Sequence, residues 1–217
     1  AIGSHAAVPH VVQLWVRNPG GSPPWEWLWT ANDPCPVHYF GFAMAIDERI
    51  PQGTHDGVWG TVIVGDPQAY FTGRAYVYLT YSSGILQELY YGFGNETTTV
   101  CFGEAVSADS GLLAVGAPSL TYAGQDSAGS VYIYRWNPLA GIQGEYEFVT
   151  QITPPSPTLE GGFGVSVSVY ENIVMVGDAM STVYMYRISG STAIPTPLDQ
   201  PNAINLASRL GYTVSIW

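Results

Sequence analysis

Lysine is absent from this sequence, and its six basic side chains are all arginine against 17 acidic ones, a formal charge of −11. A nucleic-acid backbone or an anionic lipid surface would repel such a chain, so neither is expected as a partner. Long apolar runs are missing too. Each hydrophobic stretch is broken by a charge, a proline or a glycine before it reaches the ~20 residues that a membrane-crossing helix requires. Catalytic signatures are equally scarce: there is no Gly-x-Ser-x-Gly elbow, no His-Glu-x-x-His, no phosphate-binding glycine loop and no Cys-x-x-Cys. The expectation is a protein without enzymatic chemistry.

What is present is turn formers and aromatics: 25 Gly, 16 Pro, 15 Tyr and 7 Trp among 217 residues, with 47% hydrophobic overall. That composition excludes disorder and favours short strands over helices. The start, Ala1-Ile2-Gly3-Ser4, lacks both Met and a leader, and Thr213 to Trp217 alternates like a strand, so the chain is expected to be cut from something longer.

The sequence repeats itself. Phe40-Gly41-Phe42-Ala43-Met44-Ala45-Ile46, Phe102-Gly103-Glu104-Ala105-Val106-Ser107-Ala108 and Phe163-Gly164-Val165-Ser166-Val167-Ser168-Val169 share one pattern, with Leu210-Gly211-Tyr212-Thr213-Val214-Ser215-Ile216 as a fourth copy. The starts lie 62, 61 and 47 residues apart. A second strand follows each full copy and ends in Val64-Gly65-Asp66-Pro67, Val115-Gly116-Ala117-Pro118 or Val176-Gly177-Asp178-Ala179. A third alternates as Ala75-Tyr76-Val77-Tyr78, Val131-Tyr132-Ile133-Tyr134 and Val183-Tyr184-Met185-Tyr186, with Val12-Gln13-Leu14-Trp15 in the matching place. A weaker fourth is read at Trp25–Trp29, Leu86–Tyr90 and Glu145–Val149; its last copy, from Ile194 to Leu206, is proline-rich and reads as a poor strand that suits an outer edge or a loop.

Four strands per unit, repeated in series, predict an all-β fold: a β-propeller of four-stranded antiparallel blades, about four of them, in permuted units 1–46, 57–108, 112–169 and 173–217. A lone four-stranded meander cannot hide both of its faces, so each unit needs a neighbour stacked on it. The repeated residues read as architecture. Phe40, Phe102 and Phe163 would wedge between sheets, Gly41, Gly103, Gly164 and Gly211 would permit close backbone approach, and Gly65, Gly116 and Gly177, stiffened by Pro118, would turn the chain out of the sheet.

Phe102-Gly103 followed by Val115-Gly116-Ala117-Pro118 and Gly129-Ser130-Val131-Tyr132-Ile133-Tyr134 resembles the FG-GAP repeat, the blade of integrin α-subunit propellers and related cell-surface proteins. Good copies cover residues 40–79, 102–135 and 163–187, with degenerate ones at both ends. The resemblance implies an extracellular or cell-surface protein of adhesion, ligand binding or coat assembly, with a protein partner or self-assembly. It also implies a propeller usually of seven blades, so a segment of a larger ring, or one completed by another chain, is expected over a closed four-bladed monomer. The alternative is the accessory propeller of a secreted hydrolase, as in the glycosylphosphatidylinositol-specific phospholipase D family.

Many such propellers carry a calcium loop between the first two strands of a blade. Here Asp109-Ser110-Gly111 and Tyr170-Glu171-Asn172 are too short, which leaves Asp47, Glu48 and Asp56 as the candidate ligands. Their loop lacks alternating Asp spacing and contains Arg49 and Pro51, so no cofactor is the first reading and calcium the second. Cys35 and Cys101 precede successive Phe-Gly strands and form a candidate disulfide, the other reading being two buried thiols. Asn95-Glu96-Thr97 matches a glycosylation acceptor. His5 and His10 are read as loop residues. Trp25, Trp27 and Trp29 alternate, which fits either packing against a neighbouring sheet or a carbohydrate platform.

Overall fold

The computed structural model describes residues 2–3, 11–17, 21–23, 25–32, 39–49, 58–81, 86–92, 100–140, 144–196 and 214–216. Strands form where the sequence alternates, and they pair antiparallel in chain order. The first sheet holds β1 (Ile2–Gly3), β2 (Val11–Arg17) and β3 (Trp25–Asn32). The second holds β4 (Ala43–Asp47), β5 (Val58–Asp66), β6 (Arg74–Tyr81) and β7 (Leu86–Gly92). The third is β8 (Val106–Asp109), β9 (Leu112–Ala117), β10 (Ser130–Asn137) and β11 (Glu145–Ile152). The fourth is β12 (Ser166–Tyr170), β13 (Ile173–Gly177), β14 (Val183–Ser189) and β15 (Thr192–Thr196). The all-β, antiparallel, four-stranded expectation therefore holds for three complete sheets. Among the described residues no helix is long and apolar enough to cross a membrane.

The sheets stack in series, and period-two alternation decides which neighbour each residue meets. On β5, Val62 and Val64 pack with Val12 and Leu14 of the first sheet, whereas Ile63 joins Val77 and Leu79 against Leu113 and Val115 of the third. Leu112, Ala114, Val131 and Ile133 leave the other side of the third sheet and pack on Val167, Val174 and Val176 of the fourth. Both faces of β9 are thus covered, which is why all six of its residues are buried. Each Val or Leu so hidden stabilises the stack by ~1.5–3 kcal/mol.

The three Phe-Gly motifs occupy one recurring geometry. Phe40, Phe102 and Phe163 are all buried, and each ring stands tilted or edge-on to a third-strand tyrosine: Tyr76 at 5.5 Å, Tyr132 at 5.7 Å and Tyr184 at 5.2 Å between centroids. The following glycine donates its amide to the second-strand glycine of the same sheet, Gly41 to Gly65 at 3.1 Å, Gly103 to Gly116 at 3.0 Å and Gly164 to Gly177 at 3.0 Å. A Cβ on Gly65 or Gly116 would strike the carbonyl of Gly103 or Gly164 in the next sheet, so only glycine fits there.

The first strands of the three complete sheets, β4, β8 and β12, lie side by side. Hydroxyls stitch them together: the Val169 amide donates to Ser107 Oγ at 2.9 Å, and the Ile216 amide donates to Ser168 Oγ at 3.0 Å. Residues 214–216 therefore continue the series beyond β12 in the same register.

Each Phe-Gly strand is hydrogen-bonded to the second strand that follows it, so the sheets run 43–92, 106–152 and 166–196, and each permuted unit ends with the first strand of the sheet after it. In the proline-rich segment, Thr192–Thr196 pairs with β14 at the edge of the fourth sheet and takes Pro195 opposite Tyr186, the outer-edge placement that its prolines suit. It is the outermost strand, where a missing N–H costs no ladder bond on the solvent side.

Candidate functional site

Antiparallel order puts the turns of these sheets at two ends, and the two are chemically unlike. At one end the first-to-second-strand turns are held by carboxylates from the preceding sheet. Asp47, the last residue of β4, is almost fully buried and accepts amide bonds from Ser110 (3.1 Å) and Gly111 (2.7 Å) in the third sheet's turn, and from Arg49 (2.8 Å). Asp109, at the matching place on β8, accepts the Glu171 amide of the fourth sheet at 2.6 Å. Arg49 ties the series together by pairing with Asp109 and lying over the Tyr170 ring, 5.6 Å from its centroid. Its hydrogen bond to Asp109, then that carboxylate's charge, hold the guanidinium above its ordinary pKa.

This arrangement bears on the candidate calcium ligands. Both Asp47 oxygens are engaged by backbone N–H groups, Glu48 points to solvent, and the nearby cation is Arg49. Asp47 and Glu48 do not fit a calcium ion, which needs six or more oxygens turned toward it. Asp56 lies outside the described residues. Among the described residues no group of three or more His, Cys, Asp or Glu side chains is placed to hold a metal.

The opposite end carries the second-to-third-strand loops and the lead-ins to the first strands, and it is aromatic. Phe71 is 82% exposed and Phe42 49%, with Tyr39, Tyr70, Tyr122 and Met180 also open to solvent. Tyr39 and Phe42 pack edge-to-face at 6.3 Å, and Arg74 lies 4.1 Å above the Tyr70 ring. Asp66 holds the two segments together, its Oδ1 accepting the amides of Tyr39 at 3.0 Å and Gln68 at 3.3 Å. In the fourth sheet Asp178, at the equivalent position, organises its own loop instead, accepting from the Thr182 amide at 2.7 Å and the Tyr184 hydroxyl at 3.1 Å.

The backbone at this end is strained where the rings are presented. Tyr70 and Phe71 are consecutive left-handed residues, φ 52° and 69°, in the short 3-10 turn Ala69–Phe71. Such a conformation costs a bulky side chain about 1 kcal/mol or more each. Phe71, with 82% of its surface in water, buries little apolar area in return for that strain.

The remaining predicted residues divide. The repeat phenylalanines and glycines make the contacts between strands and sheets described above, Pro118 is buried just after β9, and Cys35, Asn95 and Gly211 lie outside the described residues. Cys101 makes no disulfide among the described residues. Burial, then the charge of Glu104, push its thiol up, against a lowering hydrogen bond from Ser119. Burial likewise raises the Glu104 carboxyl. The tryptophan alternation is broken by a bulge on β3. Trp27 pairs with Trp15 and Trp29 with Leu14, adjacent residues pointing to opposite faces of β2, so the register does not make one platform of the three.

Sequence reasoning missed the carboxylate series and the aromatic loops. The first had a signal, Asp47 and Asp109 each standing seven residues after its phenylalanine. The second had none beyond two adjacent aromatics in a loop. No protein-family model matches the chain, and comparison with the curated proteins finds no match.

Proposed function

We propose that the chain forms blades of an extracellular β-propeller of the FG-GAP kind, which works by presenting loops to a protein partner and has no chemistry of its own. Adhesion or assembly of an extracellular coat is its task, and the aromatic end, around Tyr39, Phe42, Tyr70 and Phe71, is the surface that meets the partner. One observation supports this reading above the rest: the strained, solvent-facing Tyr70–Phe71 turn sits on a scaffold whose Phe-Gly geometry repeats from sheet to sheet. A rigid stack holding exposed loops is the arrangement binding modules use.

The test is binding of the purified chain to a panel of extracellular-matrix proteins and glycans, compared with a Phe42→Ser, Phe71→Ser variant of unchanged melting temperature. At least a tenfold loss of binding in the variant is expected. A loss produced instead by Glu48→Gln and Glu171→Gln would move the site to the other end. Turnover of phosphodiester or glycoside substrates would overturn the non-catalytic reading, and electron-microscopy averages lacking radial sheets would overturn the propeller.

A further inference from the structure

The stack leaves one face incompletely covered at each side, and the two faces match. In the second, third and fourth sheets the third-strand aromatics Tyr76, Tyr132 and Tyr186 pack into the core shared with the preceding sheet. The same face of the first sheet carries Trp15 and Trp27, register partners that are 37% and 54% exposed. Opposite them in the series, the aliphatic side of the third sheet is wholly buried, Leu112, Ala114, Val131 and Ile133 each at 0%. The corresponding side of the fourth sheet is only half-buried: residues alternate along β13 and β14, with Met175, Val183 and Met185 partly exposed where Val174, Val176 and Tyr186 are covered.

We propose that the Trp15–Trp27 face of one chain docks on the Met175–Val183–Met185 face of a second copy. Three interfaces inside the molecule already join an aromatic face to an aliphatic one in the same order, so the contact extends an interface the fold uses throughout. The strand positions agree. The first sheet has β1 at its edge, paired only with β2 among the described strands, while residues 214–216 lie beside β12 where a further first strand belongs. A docked first sheet would bring β1 alongside that segment. The two faces are different surfaces, so the association is head-to-tail: it closes into a ring of copies where the rotation between stacked sheets brings the last two faces together, and grows by addition where it does not. It is independent of whether the aromatic loops bind a ligand.

Sedimentation of the unmodified chain over a range of concentrations tests the proposal, with oxidative footprinting of Trp15, Trp27, Met175 and Met185. Association with concentration is expected, and tryptophans and methionines should gain protection together. A Trp15→Glu, Trp27→Glu variant and a Met185→Glu variant should each associate at least tenfold more weakly alone. Mixed, they should form a one-to-one dimer, since each keeps the face the other lacks. A chain that stays monomeric overturns the proposal, whether its footprint shows these residues open or already covered within one molecule. A mixture that stays monomeric, or protection of the tryptophans alone, overturns it as well. Footprinting of the unmodified chain keeps the proposal falsifiable if a variant misfolds.

Discussion

The two ends of the sheets use their polar groups in opposite ways. At the carboxylate end, Asp47 and Asp109 reach across to neighbouring turns and satisfy backbone N–H groups that would otherwise be left without partners. At the aromatic end, Asp66 and Asp178 organise loops, and those loops then hold Phe42, Tyr70 and Phe71 in water at a conformational cost. One end fastens the repeats together and the other spends part of that stability on display. A series of sheets can carry exposed, strained loops on one side because its register is secured on the other.

The sharpest way to break this comparison is Asp47→Ala. Removing a buried carboxylate that three amides share should cost about 3 kcal/mol, read from the urea midpoint at unchanged slope. A loss below about 1 kcal/mol would mean that the carboxylates do not secure the turns. Asp109→Ala, with one inter-sheet amide and a solvent-facing arginine as partners, should cost less, about 1–2 kcal/mol.

Alkali supplies a control that belongs to neither end. Burial pushes the hydroxyls of Tyr134 and Tyr186 up to about 12, from about 10 in an unfolded chain. The folded state therefore holds these protons more tightly. The stability they contribute is whole below pH 10 and is lost as the pH climbs toward 12. A chemical-denaturation series should show the decline confined to that window, and Tyr134→Phe should flatten it.

The smallest effect is expected at the aromatic end. Phe71→Gly removes an exposed ring and relieves a left-handed φ, while glycine's greater freedom in the unfolded chain offsets part of the gain, so stability should change by less than about 1 kcal/mol. Partner binding should fall regardless. A melting temperature lowered by several degrees would show that Phe71 supports the fold instead.

The scaffold was legible because its signals are local and repeated. Alternating Val and Tyr on the third strands, the Phe-Gly pairs and the Val-Gly turns each appear several times in phase, and noise in one copy is corrected by the others. The carboxylate end was harder to see, since the partners of Asp47 lie 63 and 64 residues away at Ser110 and Gly111 and are backbone amides, which no side-chain motif marks. The tryptophan stripe misled for a related reason. Alternation assumes an unbroken strand, and the bulge opposite Leu14 and Trp15 shifts the register by one.

The amino-acid order by itself determined the strands, their grouping into units and the glycines at close contacts, because period-two alternation and the absence of a Cβ act within a few residues. Only the tertiary structure decided which face of each sheet is covered, that the acidic residues ending β4 and β8 bind turns rather than metal, and that aromatic rings gather in the open at one end. Those outcomes depend on which sheet lies beside which, and apolar burial favours stacking without specifying the polar contacts that follow from it.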